Sequence, residues 1–306
     1  MMPPVLYDFA RKVRHGRASP EAAFVRNGSV PWSRGYGLHK ENFIAAVLLN
    51  EEIMSSFRNG TPLPENYGFG IDERCIEYPW LFANLSTDAR RVLDAGSVLN
   101  HEFLLGDRFL NGRTLHILTL APEASCFWKK GISYLFGDLR AIAIRDDYYD
   151  AVVCLSTLEH VGCDNTQYKR DSTARENRPE TLRDAVRELR RVLKPGGSLF
   201  ISVPYGAYRH YGTFQQFDRA LLDEMIAAFG SAAEKQEAFY RYSEAGWQRA
   251  SAEACADARY VEWFARSMLE GHAPQPIPIE PDHAAAARAV ACIRLVKPLD
   301  RNVGTR

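Results

Sequence analysis

Four short apolar runs, separated by turns and helical patterns, constrain this chain more than any other feature. Tyr149 to Thr157 (YDAVVCLST) is a nearly continuous apolar run of strand length, as a parallel strand covered on both faces requires. RVLDAGS carries Val92 and Leu93 into a turn at Gly96. TLHILTL, Thr114 to Leu120, alternates and stops before Pro122, and SLFISVP runs from Ser198 to Pro204. Ahead of SLFISVP, Leu182, Ala185, Val186, Leu189 and Val192 recur at helical spacing and mark one apolar helix face. Thr181 with Asp184 predicts a capping box at its start, and Pro195-Gly196-Gly197 a stop at its end. Strand, helix and strand in alternation predict βαβ units, hence an α/β fold with a doubly wound, mostly parallel sheet.

The rest of the chain divides around this centre. Residues 1–90 mix Gly, Pro and aromatics with one helical stretch and form an N-terminal extension, a candidate cap over the substrate. Residues 91–306 form one further unit, within the usual size of a domain. Beyond Pro204 the pattern predicts mainly helix, over Phe217–Gly230 and Ala256–Gly271, then a final strand in Ala289–Pro298. PQPIPIEPDH, Pro274 to His283, reads as an extended connector.

Charge and composition remove whole classes of function. The 306 residues carry 38 Lys+Arg against 38 Asp+Glu, so no global positive field recommends a nucleic-acid partner. Phe43–Leu49, the longest unbroken apolar run, is far short of the ~20 residues that span a bilayer. The N-terminus lacks the apolar stretch of a secretory signal. Six scattered cysteines form no CxxC pair and fit reduced thiols in a cytoplasmic protein. The eight histidines show no HxH or HxxxH pair, so nothing requires a metal; Asp164 with His160 is the pair that would hold one. Asp146, Asp147 and Asp150 read as a solvated turn.

In open α/β sheets ligands bind beyond the carboxyl ends of the strands, where strand order reverses. Polar groups collect at those ends here: Asp94-Ala95-Gly96-Ser97 continuing to Asn100, then Thr119, then Gly137-Asp138-Leu139-Arg140, then Ser156-Thr157-Leu158-Glu159-His160, then Pro204-Tyr205-Gly206. The order VLDAGS, GDLR, DAVVCLSTLEHVG, LRRVLKPGGSLFISVP resembles the class I S-adenosylmethionine-dependent methyltransferases. The resemblance covers about Arg91 to Pro204. GIDERCIEYPW and STLEHVGCDNTQY further resemble methyltransferases associated with glycan and polysaccharide biosynthesis.

The resemblance implies a Rossmann-like fold and S-adenosyl-L-methionine as cofactor. It implies Asp94, Gly96, Ser97 and Asn100 at the methionine end, Thr119 at the ribose, Asp138 and Leu139 at the adenine, and Ser156 alongside. The chain departs from the family at two places. Val98 and Asn100 stand where relatives carry glycine, which disfavours a dinucleotide pyrophosphate more than a phosphate-free ligand. Thr119 stands where relatives carry an acid, and one hydroxyl cannot bridge a diol as a carboxylate does; Glu123 is the nearby substitute. For a hydroxyl acceptor, the candidate base is His160. Glu159, Asp164, Tyr205, His210 and Tyr36 are candidates for the acceptor pocket, with Glu159 expected to cap an amide or orient a neighbour. Trp80 is expected in the core; Trp32 and Tyr36 suit packing and binding equally. The expected function is O-methylation of a sugar, glycan precursor or related small molecule. The alternatives are N- or C-methylation of a small metabolite, or a silent binding module on the same fold.

Overall fold

The computed structural model describes residues 20–106, 108–169, 171 and 175–299. An eight-stranded sheet organises them. Its strands are β1 (Arg91–Ala95), β2 (Thr114–Thr119), β3 (Ser133–Phe136), β4 (Tyr149–Leu155), β5 (Leu193–Pro204), β8 (Glu234–Ser243), β9 (Gly246–Ala250) and β10 (Ala289–Val296). Two short strands, β6 (Arg209–His210) and β7 (Gln215–Gln216), pair separately. The order in the large sheet is β3-β2-β1-β4-β5-β10-β8-β9. β3, β2, β1, β4 and β5 are mutually parallel, with Val92 opposite Leu115 on one side and Ala151 on the other. β10 inserts antiparallel between β5 and β8. This is a Rossmann-like, doubly wound arrangement, with strand order reversing between β1 and β4.

Alternation along each strand sends neighbouring residues to opposite faces. Val92, Val153 and Phe200 enter one core together with Ile44, Met54, Phe57 and Trp80. Leu93, Val152 and Ile201 enter a second core with Leu189 and Met225. Helices Tyr36–Leu49, Glu51–Asn59 and Arg74–Asn84 thus cover one face, and Leu182–Val192 and Arg219–Phe229 the other. Asn50 starts the second of these helices by accepting from the amides of Glu52 and Ile53. Asp218 starts the last by accepting from Leu221 N.

Several expectations need correction. The five apolar residues of Leu182–Val192 are all buried, but Thr181 makes no side-chain cap. It closes a 3-10 turn, and its hydroxyl donates to Arg178 O at 2.8 Å. Pro195-Gly196-Gly197 does not end an element. It lies inside β5, where the pairing with β4 jumps from Tyr149–Leu193 to Ala151–Ser198. The region after Pro204 is not mainly helical: β8 and β9 form a hairpin there, and helix Glu262–Glu270 is shorter than the pattern implied. Cross-strand packing of Tyr240 and Tyr242 outweighs the helical propensity of EKQEA. Asp146, Asp147 and Asp150 are not simply solvated; they pair with Arg191, Lys297 and Lys194. Trp80 is fully buried, as expected.

Candidate active site

A cavity of about 670 Å³ lies where β1, β2 and β4 end. Its floor starts at Gly96, whose φ is +127°. A Cβ there would stand 2.1 Å from Thr157 Oγ1, so the turn needs glycine for both backbone and space. Asp94 lies below, fully buried, and accepts from Val98 N at 3.1 Å and Leu99 N at 2.8 Å. Burial outweighs those two bonds and lifts its pKa to about 7. Asp94 therefore shapes the turn and does not line the cavity. Gly96→Ala is expected to destabilise the fold by about 1–2 kcal/mol from the left-handed backbone, with overpacking against Thr157 adding about 1–3 kcal/mol. A thermal melt unchanged from the parent would refute this account of the turn.

The remaining strand-end residues divide clearly. Ser97 lines the cavity, and its buried hydroxyl has no partner. Thr119 and Glu123 both line it, and the single Thr119 hydroxyl proton can go to Glu123 Oε1 at 3.0 Å or to Ala121 O at 3.1 Å. Asp138 and Leu139 line it too. The Asp138 carboxylate accepts from Arg140 N, Nε and a terminal nitrogen. Burial opposes its charge, but those bonds prevail and hold its pKa below the usual range. Arg140 continues to Glu176 at 2.6 Å and Thr181 at 3.1 Å. Ser156 reaches the cavity, but its hydroxyl donates to Glu77 Oε1 at 2.5 Å. Asn100 is a correction: its amide is taken by Ser125 O and Tyr134 OH, outside the lining.

His160 lines the cavity where the chain leaves β4. Its Nδ1 is 2.8 Å from Thr213 O. A carbonyl only accepts, so Nδ1 carries the proton and Nε2 keeps the lone pair. Burial lowers the pKa to about 4, so the ring is neutral at physiological pH. Glu159 beside it is 3% exposed; its carboxyl takes a hydrogen bond from its own backbone amide, while Oε2 has no partner. Burial pushes its pKa well up.

The first segment supplies residues that the strand-end argument missed. Asp72, Glu73 and Arg74 line the cavity together with Trp32, Lys40 and Tyr78. Asp72 accepts from Tyr36 OH at 2.9 Å and Lys40 Nζ at 2.6 Å. Glu77, fully buried, takes Arg74 at 2.5 Å on one oxygen and the hydroxyls of Ser156 and Ser202 on the other. Trp32 stacks on Phe264 with centroids 4.6 Å apart and lies under Lys40 Nζ at 5.1 Å. GIDERC was the available signal, an acidic-basic knot set between hydrophobic residues.

Four expected acceptor residues do not line the cavity. Tyr36 is 2% exposed and acts through Asp72. Asp164 closes a local turn on Thr166 N and pairs with Arg175. Tyr205 is buried against Phe239 in the second core. His210 accepts from Gly212 N and lies near Cys163 Sγ. In each case nearby packing or a local turn takes the polar group first.

Residues 115–201 match the family model for the methyltransferase domain. Over that stretch, less than half of its length, the chain resembles methyltransferase domains. Its cofactor is S-adenosyl-L-methionine. Similar solved structures include the [4+2]-cyclase SpnF, at 18% identity over 88% of this chain and 97% of that one, TM-score 0.44. Another is the 1,6-didemethyltoxoflavin-N1-methyltransferase of Burkholderia thailandensis, solved with 1,6-didemethyltoxoflavin and S-adenosylhomocysteine, at 16% identity over 83% and 88%, TM-score 0.42. A third is the N-methyltransferase NodS of Bradyrhizobium japonicum, at 12% identity over 69% and 79%, TM-score 0.35. No curated protein sequence matches the chain. Among the described residues, no cluster of three or more His, Cys, Asp or Glu is placed to hold a metal, and no helix is long and apolar enough to cross a membrane.

Proposed function

We propose that this chain moves a methyl group to a hydroxyl of a small polar acceptor, a sugar or glycan precursor, in the cytoplasm. The observation that carries the oxygen assignment is His160: a neutral imidazole with a fixed tautomer, lining the cofactor cavity. The free cysteines Cys75, Cys126, Cys154, Cys163, Cys255 and Cys292 fit a reducing compartment.

The cavity's donor set fits the cofactor. Glu123, within hydrogen-bond reach of Thr119, offers a carboxylate to the ribose diol, which Thr119 alone could not bridge. Asp138, held by Arg140, offers an acceptor to the adenine amine, and Leu139 a backbone amide. Ser97 has an uncommitted hydroxyl at the Gly96 turn. When bound, S-adenosyl-L-methionine supplies an electrophilic methyl group on a cationic sulfur.

The chain's own residues would do the rest. The walls orient the acceptor, and positioning of this kind is worth about 7–11 kcal/mol of a bimolecular barrier. His160 Nε2 accepts the hydroxyl proton while Thr213 O stabilises the imidazolium through Nδ1–H. Trp32, Lys40 and Arg74 bring the first segment into the cavity lining, which supports the capping role proposed for it.

Calorimetry with S-adenosylhomocysteine tests the cofactor assignment, and product mass after incubation with S-adenosylmethionine and a panel of sugars tests the transfer. Glu123→Ala is expected to weaken S-adenosylhomocysteine about tenfold or more, as for a lost bond to a charged group. Unchanged affinity would remove Glu123 from the ribose site. Absence of binding at millimolar cofactor would favour the silent module.

A further inference from the structure

One part of the cavity, lined by Asp72, Glu73 and Glu159 with Glu77 behind, is unbalanced in charge. Asp72, Glu73, Glu77 and Glu159 gather there, each at most 9% exposed, with Lys40 and Arg74 as the cations bonded to them. Lys40 is bonded to Asp72 and Arg74 to Glu77, so these two carboxylates are accounted for. Glu73 and Glu159 are not. Glu73 Oε2 accepts from Ala287 N at 3.2 Å and its carboxyl also takes its own backbone amide, but no cation among the described residues is bonded to it. Glu159 Oε2 is buried without a partner. Both residues line the cavity.

Their surroundings share one chemistry. Tyr260, Phe264, Met268 and Trp32 form an aromatic and thioether wall of the same cavity. Tyr260 and Phe264 lie with rings 6.2 Å apart, and Trp32 stacks on Phe264. Glu73 and Glu159 line the same cavity as this wall. Burial pushes both carboxyls toward the protonated form, and a cation seated beside them would let them ionise. Aromatic faces attract cations. Carboxyls and rings together select a compact cation with hydrogen-bond donors.

We infer that the acceptor carries a cationic amino group, seated against Glu73 and the Tyr260–Phe264–Trp32 wall with Glu159 behind it. The inference rests on the methyltransferase reading above and narrows its acceptor to an amino sugar or amino polyol. Glu73 and Glu159 supply counter-charge and take no part in the transfer. The amine is the anchor, and the hydroxyl is the group presented to His160.

The test is calorimetry on the full chain saturated with S-adenosylhomocysteine, titrated with D-glucosamine and separately with D-glucose. D-glucosamine is expected to bind about tenfold or more tightly, as a paired buried charge should require. Glu73→Gln keeps the side chain's size and is expected to erase that preference while leaving S-adenosylhomocysteine affinity within about twofold. Glu159→Gln, a second variant, is expected to reduce the preference in the same direction. Equal affinity for the two sugars, or no binding of either, overturns the inference. So does a Glu73→Gln protein that loses affinity for S-adenosylmethionine but not for S-adenosylhomocysteine, since the carboxylate would then serve the donor's sulfonium. Failure of S-adenosylhomocysteine itself to bind would instead strike the methyltransferase reading.

Discussion

Glu77→Ala is expected to lower stability by about 3–5 kcal/mol, the usual cost of stripping one partner from a buried ion pair. Glu77 has no exposed surface and joins three elements. It holds Arg74 on its own helix, Ser156 at the end of β4 and Ser202 in β5. Removal leaves a largely buried guanidinium without its carboxylate and two hydroxyls without their acceptor, each costing about 1–3 kcal/mol where water does not enter. Denaturant unfolding measures the loss. Arg74 lines the cavity and Ser156 borders it, so affinity for S-adenosylhomocysteine should fall in the same protein. A midpoint within experimental error of the parent would mean that the ion pair contributes nothing net. Glu77→Gln should cost less, because its amide oxygen still accepts from one serine.

The second large effect belongs to His160. His160→Ala is expected to lower kcat about 10²–10⁴-fold, the range for a positioned base, with S-adenosylhomocysteine affinity held within a small factor. Loss of binding and turnover together would make the ring a pocket wall instead. The same residue ties stability to pH. Its pKa is lowered by burial from 6.5 to about 4 in the folded chain, so the unfolded chain binds the proton more readily. Stability from this group is complete above about pH 6.5 and falls as pH drops toward about 4. His160→Ala should flatten that part of the stability profile. A slope between pH 4 and 6.5 identical to the parent's would exclude His160 as its source.

The parts of the fold legible in the sequence are those whose patterns are local. β4 shows itself because both of its faces are buried and its run is unbroken. Helix Leu182–Val192 shows itself because one stripe is apolar and the rest charged. β3 escaped because a short strand at the sheet edge buries too little to leave a period. β8 escaped because its polar first half resembles an exposed helix, and only its pairing with β10 and β9 makes it extended.

The site divides on the same principle. Gly96, Ser97, Thr119, Asp138, Leu139, Ser156, Glu159 and His160 line the cavity because a strand end fixes where its next residues go. Asp72, Glu73 and Arg74 precede β1 and reach the cavity only through tertiary packing, which no strand-end rule foretells. Tyr205, His210, Asp164 and Tyr36 carried suitable chemistry in promising loops. Composition could not distinguish a hydroxyl that meets a ligand from one already bonded to a neighbour, as the Tyr36–Asp72 contact shows.

The shared core of the first segment and the sheet has a practical consequence for dissecting this molecule. Ile44, Met54, Phe57 and Trp80 are the covering for Val92, Ile117, Val153 and Phe200. A chain cut just ahead of Arg91 would present that sheet face to water and lose Asp72, Glu73 and Arg74 at the same stroke. A chain beginning at Arg91 is therefore expected to aggregate rather than to fold as a smaller protein.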